Sequence, residues 1–169
     1  MSGMAPESAA DEVDELVLAW RRERGDLDLA PVEVFSRISR LSRLLDRARR
    51  EAFTAHEVEP WEFDVLAALR RAGRPYRLSP GQLLRETMVT SGTMTNRIDR
   101  LAEGGLVERS PDPHDRRSVL VGLTAVGKRT VDGAFESLLA GERELLGELS
   151  AAERRELAGL LKRLMRPLR

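Results

Sequence analysis

Residues Leu78 to Arg129 read LSPGQLLRETMVTSGTMTNRIDRLAEGGLVERSPDPHDRRSVLVGLTAVGKR, and the order of signals in this stretch decides the fold. Ser79-Pro80-Gly81-Gln82 has the form of a capping box: a hydroxyl N-cap, proline at the first helical position and glutamine three residues after the cap. A short helix follows through Leu83 and Leu84 to about Thr87. Met88-Val89-Thr90-Ser91-Gly92 is a break that carries two hydroxyl caps and a glycine. A second helix is expected from about Ser91 to Glu103, with Met94, Ile98, Leu101 and Ala102 at the spacing of one buried face. Gly104-Gly105 ends it, as glycine at a helix C-terminus does. Leu106–Arg109 and Val119–Leu123 read as short strands. The segment Ser110 to Arg117 between them is rich in turn formers and too long for a tight hairpin. Thr124 then caps another helix.

The outer face of the second helix carries Ser91, Thr93, Thr95, Asn96, Arg97 and Arg100. These are hydrogen-bonding groups gathered toward a helix N-terminus, while the opposite face is apolar. A helix that reads a DNA major groove needs that division, because its N-terminal residues meet base edges and phosphates and its apolar side holds it to the domain. Arg116 and Arg117 fall at the tip of the expected hairpin, where an arginine can enter a narrow minor groove. Asp115 is placed to hold that tip in shape by an ion pair. The fold class is therefore mostly α with a small β-hairpin wing, a winged helix-turn-helix carrying N- and C-terminal dimerisation helices.

The rest of the chain is helical. A first helix is expected from about Asp11 to Arg24, with Val13, Leu16, Val17 and Trp20 on one face. Gly25-Asp26-Leu27-Asp28 breaks it. Pro31 starts a longer helix to about Phe53, with Phe35, Ile38, Leu41, Leu45 and Ala48 inward. Glu59-Pro60 opens the next, carrying Trp61, Val65, Leu66 and Leu69 and closed by Gly73. After the hairpin, a helix from Thr124 to about Leu149 bears Val131, Phe135, Leu138, Leu139, Leu145 and Leu146. Ser150-Ala151-Ala152-Glu153 is a second capping box, opening a last helix through Leu157, Leu160, Leu161 and Leu164. These outer helices hold more apolar surface than a small winged domain can cover, which marks an interface. A homodimer is expected. It would present two recognition helices about 34 Å apart and select a pseudo-palindromic site. The organisation expected is residues 1–10 disordered, 11–58 for dimerisation and ligand pocket, 59–124 as the DNA-binding lobe and 125–169 for dimerisation.

Composition narrows the class. The chain of 169 residues contains no cysteine, which excludes a disulfide framework, a thiolate metal site and a sulfur redox switch. No apolar run approaches the roughly 20 residues of a membrane span, and the N-terminus lacks a signal pattern, so a cytoplasmic protein without membrane contact is expected. Aromatics make up only 4%, few for a single-strand binder that stacks bases. A formal net charge of +0 argues against a charge-driven DNA coat. Charge is unevenly placed, however. Residues 1–36 hold nine acids against three arginines, and residues 37–50 hold six arginines against Asp46 alone. The two histidines, His56 and His114, lie in apparent loops beside acids. No nucleophile–base–acid set and no metal-ligand spacing appears, so neither an enzyme nor a bound cofactor or metal is expected.

A regulator of this shape needs a signal. Trp20 is a bulky aromatic on the first helix. Asp64 sits among Trp61, Phe63, Val65 and Leu66, an unusual setting for a carboxylate, which must be paired or change protonation if buried. Arg97 or Arg109 are the partners expected for it. An aromatic that stacks on a planar ring and arginines that pair with its charge would suit a small anion.

The combination Asp115-Arg116-Arg117 with Leu123-Thr124, placed after a helix-turn-helix, resembles the wing signature of MarR-type winged-helix transcription regulators. The likeness extends from about Asp11 to Leu168. It implies a homodimeric, ligand-responsive regulator of double-stranded DNA, with Arg117 at the wing tip reaching the minor groove. The extra N-terminal helix and the set Trp20, Asp64, Arg97 and Arg109 further resemble the urate-responsive subgroup of that family. That resemblance implies that the tryptophan and arginines engage an anionic purine, and that the ligand's charge pushes the aspartate and so displaces the recognition helix. A related subgroup answers to citrate or aconitate. An architectural winged helix without an effector is the remaining alternative.

Overall fold

A computed structural model describes residues 10–87, 90–113 and 118–166. The elements are α1 (Glu12–Glu23), α2 (Ala30–Thr54), α3 (Pro60–Arg71), β1 (Arg77–Leu78), α4 (Pro80–Thr87), α5 (Ser91–Glu103), β2 (Val107–Pro111), β3 (Val119–Leu123), α6 (Ala125–Leu145) and α7 (Ala151–Leu164). They fall into two compact units that divide within α2, after Arg47.

In the first unit, α1 begins with Asp11 as N-cap. Asp11 accepts hydrogen bonds from the backbone N–H groups of Val13 and Asp14, and Asp14 returns one to the N–H of Asp11. Arg37 of α2 closes the same corner, with Nε 2.8 Å and Nη2 3.0 Å from the two Asp11 oxygens and Nη2 2.7 Å from Asp14. The apolar content of this unit is small: Val13, Val17 and Leu29 are buried, with Val32 against them. Phe35, Leu41 and Leu45, expected to face inward, are exposed in the single chain, as is Trp20 on the apolar face of α1. Their helix faces are apolar, and nothing among the described residues of this unit covers them.

The second unit holds the main core. Phe53, Leu66, Leu69, Leu83, Met94, Ile98, Leu101, Val121 and Val131 are all buried to within 2% of full exclusion. They come from the end of α2 and from α3, α4, α5, β3 and α6, so one apolar cluster fastens every element of the winged lobe. The capping box at Ser79 forms as read, with Ser79 N–H donating to Gln82 Oε1 at 2.8 Å and Gln82 N–H to Ser79 Oγ at 3.3 Å. The turn after α5 is closed by Gly105, whose φ of +68° is costly for other residues. There Leu106 N–H reaches Leu101 O and Gly105 N–H reaches Ala102 O, the double closure of a glycine-terminated helix.

The sheet is antiparallel with order β1-β3-β2. The hairpin expected from the sequence is present. It gains β1, a two-residue strand pairing Arg77 with Gly122 and Leu78 with Val121. Two residues are too few to show an alternating pattern. β2 runs on to Pro111, which an edge strand tolerates because the missing N–H has no partner to lose. Thr124 docks the sheet to α6: its hydroxyl donates to Gly105 O at 2.8 Å and accepts from Gly127 N–H at 2.9 Å. Gly127 is required, since a Cβ there would lie 1.9 Å from Leu106 O. α6 ends at Leu145, short of the expected Leu149, because the chain turns at Leu146 and Gly147. Arg70 of α3 bonds Asp132 of α6 at 2.7 Å and so ties the two helices, while Lys128, one turn before Asp132 on α6, bonds its other oxygen at 2.8 Å.

Candidate nucleic-acid interface and effector site

The two faces of α5 are cleanly divided. Met94 and Ile98 are 1% exposed and Leu101 is fully buried, packed into the lobe. Ser91, Thr93, Thr95, Asn96 and Arg100 are exposed, and Arg97 is half-buried. This follows from helical periodicity: the apolar residues recur every three or four positions and the polar ones fill the gaps. Thr90 rather than Ser91 stands at the N-cap position, its hydroxyl 3.0 Å from that of Thr93. The arginines do not extend freely. The Arg97 and Arg100 guanidinium carbons lie 5.4 and 4.8 Å from the ring centroid of Trp61 on α3, within cation–π range. Trp61, Thr93, Asn96, Arg97 and Arg100 together line an open pocket of about 270 Å³. Trp61 is a functional candidate that the sequence reading missed. Its place in an apolar run concealed that one face of its ring meets cations.

Beside α5, β2 and β3 form the stem of the wing. Asp115, Arg116, Arg117 and His114 lie outside the described residues. At the base of the stem, Arg109 Nη2 bonds Asp99 Oδ1 of α5 at 2.6 Å. The wing base and the expected recognition helix are therefore joined by a charge-assisted hydrogen bond.

The four residues expected to meet an effector have separate surroundings. Trp20 lies on α1 and is 49% exposed. Arg97 faces Trp61 and Arg109 faces Asp99. Asp64 corrects the sequence reading twice. Its side chain is 44% exposed rather than buried, and its partner is Arg49 of α2, neither Arg97 nor Arg109. Arg49 stood within the arginine-rich run of residues 37–50, to which the sequence assigned no partner. The signal available was Phe53 four residues on, which brings an aromatic ring beneath that side chain. His56, expected to have no chemistry, bonds Ser137 of α6, with 2.8 Å between Nε2 and Oγ.

The sequence profile of the MarR family matches residues 56–118, the span from the last turn before α3 to the start of β3. The HTH-type transcriptional regulator PecS of Dickeya dadantii (strain 3937) is 40% identical over 157 residues, covering 93% of this chain and 95% of the relative. The chain belongs to the MarR family. Among solved structures, a mutant MarR from E. coli complexed with operator DNA is similar at a TM-score of 0.66 and 27% identity, over 92% of this chain and 99% of that one. BpsR of Bordetella bronchiseptica, solved in connection with regulation of its DNA binding by 6-hydroxynicotinic acid, gives a TM-score of 0.65 at 27% identity over 79% and 93% of the two chains.

As a MarR-family chain this is a winged-helix transcriptional regulator, mostly helical around a small antiparallel sheet. α5 is then the second helix of its helix-turn-helix. Among the described residues, no helix is long and apolar enough to cross a membrane.

Proposed function

We propose that the chain is a ligand-responsive repressor that binds a pseudo-palindromic operator as a homodimer and leaves it when a small anion binds. The observation that carries this reading is the division of α5 into a buried apolar face and an exposed face of Ser91, Thr93, Thr95, Asn96, Arg97 and Arg100. That face suits major-groove contact, with Arg116 and Arg117 assigned to the minor groove and Asp115 to the shape of the wing. Residues 59–124 serve as the reading lobe. Residues 11–58 and 125–169 pair the two copies, a role supported by the exposed apolar residues of α2, α6 and α7.

Trp20, Asp64, Arg97 and Arg109 are assigned to the effector. Arg97 belongs to both sets, so an anion that draws it away from the groove subtracts from operator binding. A coupling of about 1–3 kcal/mol is enough for regulation. The class of ligand is a small planar anion such as urate. Support comes from the two arginines and from the aromatic acid named for BpsR.

A gel shift on DNA from upstream of the chain's own gene, titrated with urate and then citrate, tests the reading. Release by urate supports a planar anion, and release by citrate alone keeps the anionic site and changes its ligand. Binding that neither anion disturbs overturns the effector. Arg117→Ala is expected to weaken operator binding by about 1–3 kcal/mol while leaving the dimer intact. Unchanged affinity in that variant would remove the wing from the mechanism.

A further inference from the structure

Among the described residues, Arg49, Arg70, Arg97 and Arg100 lie over aromatic rings. Arg49 and Arg70 also bond carboxylates, those of Asp64 and Asp132. Arg97 and Arg100 do not. Their guanidinium carbons stand 5.4 and 4.8 Å from the centroid of one indole, that of Trp61. Neither guanidinium makes a hydrogen bond or an ion pair among the described residues. The ring itself is anchored. Trp61 is the second residue of α3 and packs against the main core of the lobe.

The way an arginine is held decides what it can still do. A carboxylate partner consumes N–H donors, the same donors that a guanine edge or a phosphate would take. A cation–π contact holds the charge and consumes none of them. It also offsets the repulsion between two like charges three positions apart on one helix. We propose that Trp61 is a positioning residue for operator recognition: its indole gathers Arg97 and Arg100 and leaves their N–H edges open to DNA. Thr93 and Asn96 line the same open pocket, so those edges lie beside the other hydrogen-bonding groups of the exposed face of α5. Two long side chains held before DNA arrives lose less rotamer freedom on binding. The contact persists in the complex, because the ring and the DNA use different parts of the guanidinium. This rests on the reading of α5 as the groove helix and adds the residue that sets two of its contacts.

The test is fluorescence anisotropy of the full-length chain on DNA from upstream of its own gene, with a scrambled duplex in parallel and urea unfolding to check the fold of each variant. Trp61→Leu keeps an apolar side chain without a π face. It is expected to weaken operator binding about fivefold to thirtyfold, the scale of two cation–π contacts. Trp61→Met repeats that test with a side chain that adapts to the space left by the indole. Trp61→Phe restores a π face and recovers most of the loss. In a chain that carries Arg100→Gln, Trp61→Leu costs less than it does alone, because one of the two groups it sets is gone. Wild-type affinity in the Leu and Met variants would overturn the proposal. Tighter binding in them would also overturn it, by making the ring a restraint from which DNA must pull the arginines. Equal losses in the Leu and Phe variants, or the same loss with and without Arg100, would mean that Trp61 acts only through the packing of the lobe. Failure of the wild-type chain to prefer the upstream DNA over the scrambled duplex would remove the reading of α5, and this proposal with it.

Discussion

α5 and α7 are helices of nearly equal length, 13 and 14 residues, and each carries a regular apolar stripe. Their fates differ. α5 buries Met94, Ile98 and Leu101 to 1% or less, whereas α7 leaves Leu157, Leu160, Leu161 and Leu164 between 37% and 51% exposed. α7 is no weaker as a helix. Ser150 and Glu153 cap it reciprocally at 3.3 and 2.8 Å. The difference is the partner. α5 meets α4, β2 and the core of its own lobe, while every described residue of α7 remains exposed. A helical stripe states that a face will be covered, and the fold of one chain decides only whether that chain does the covering. The lobe closes its core within a single chain, and α7 leaves its stripe exposed there.

Three variants probe that contrast, in falling order of effect. Leu101→Ala opens a cavity in the closed core and is expected to cost about 2–5 kcal/mol in urea unfolding. A cost below about 1 kcal/mol would mean that the lobe is not closed as described. Leu160→Glu combined with Leu164→Glu places charge on the uncovered stripe. The dimer dissociation constant should then rise by roughly tenfold to a hundredfold in sedimentation velocity, while the lobe stays folded. An unchanged constant would show that α7 is not what the second copy covers. The smallest effect concerns the first unit, where charge does much of the holding. Arg37 first, and then the backbone N–H of Asp14, hold the Asp11 carboxyl at about 2, below its usual 3.8. A lowered carboxylate contributes to the fold above its unfolded value and loses that contribution as pH falls through the folded one. Helicity at α1 should therefore decline between pH 3.8 and about 2, and Asp11→Asn should flatten that part of the profile.

The reading lobe was largely legible in the sequence because its signals are local. Ser79-Pro80-Gly81-Gln82, the stripe of Met94, Ile98 and Leu101, Gly104-Gly105 and Thr124 each act within a few residues, and each stands where the sequence places it. What escaped depends on pairs distant along the chain. β1 exists only because β3 lies beside it. The link from Arg49 to Asp64 spans 15 positions and two helices, and it was hidden in a run of arginines. Trp61 was legible as an apolar residue but not as the resting place of Arg97 and Arg100. An excess of apolar surface on the outer helices was legible, but that Phe35 and Leu41 would stay exposed rather than turn inward was not, for the reason that separates α5 from α7: periodicity names a face, not its cover.

The most direct test of this account joins the two regions in a single experiment. A hydroxyl-radical footprint on the DNA upstream of the gene, with the wild-type chain and the Leu160→Glu, Leu164→Glu variant, asks whether the lobe reads and the outer helices pair. The account predicts two protected half-sites with centres about 34 Å apart, roughly one helical turn, lost together in the variant at concentrations where the wild type saturates. A single half-site for the wild type, or paired protection that survives in the variant, would contradict it.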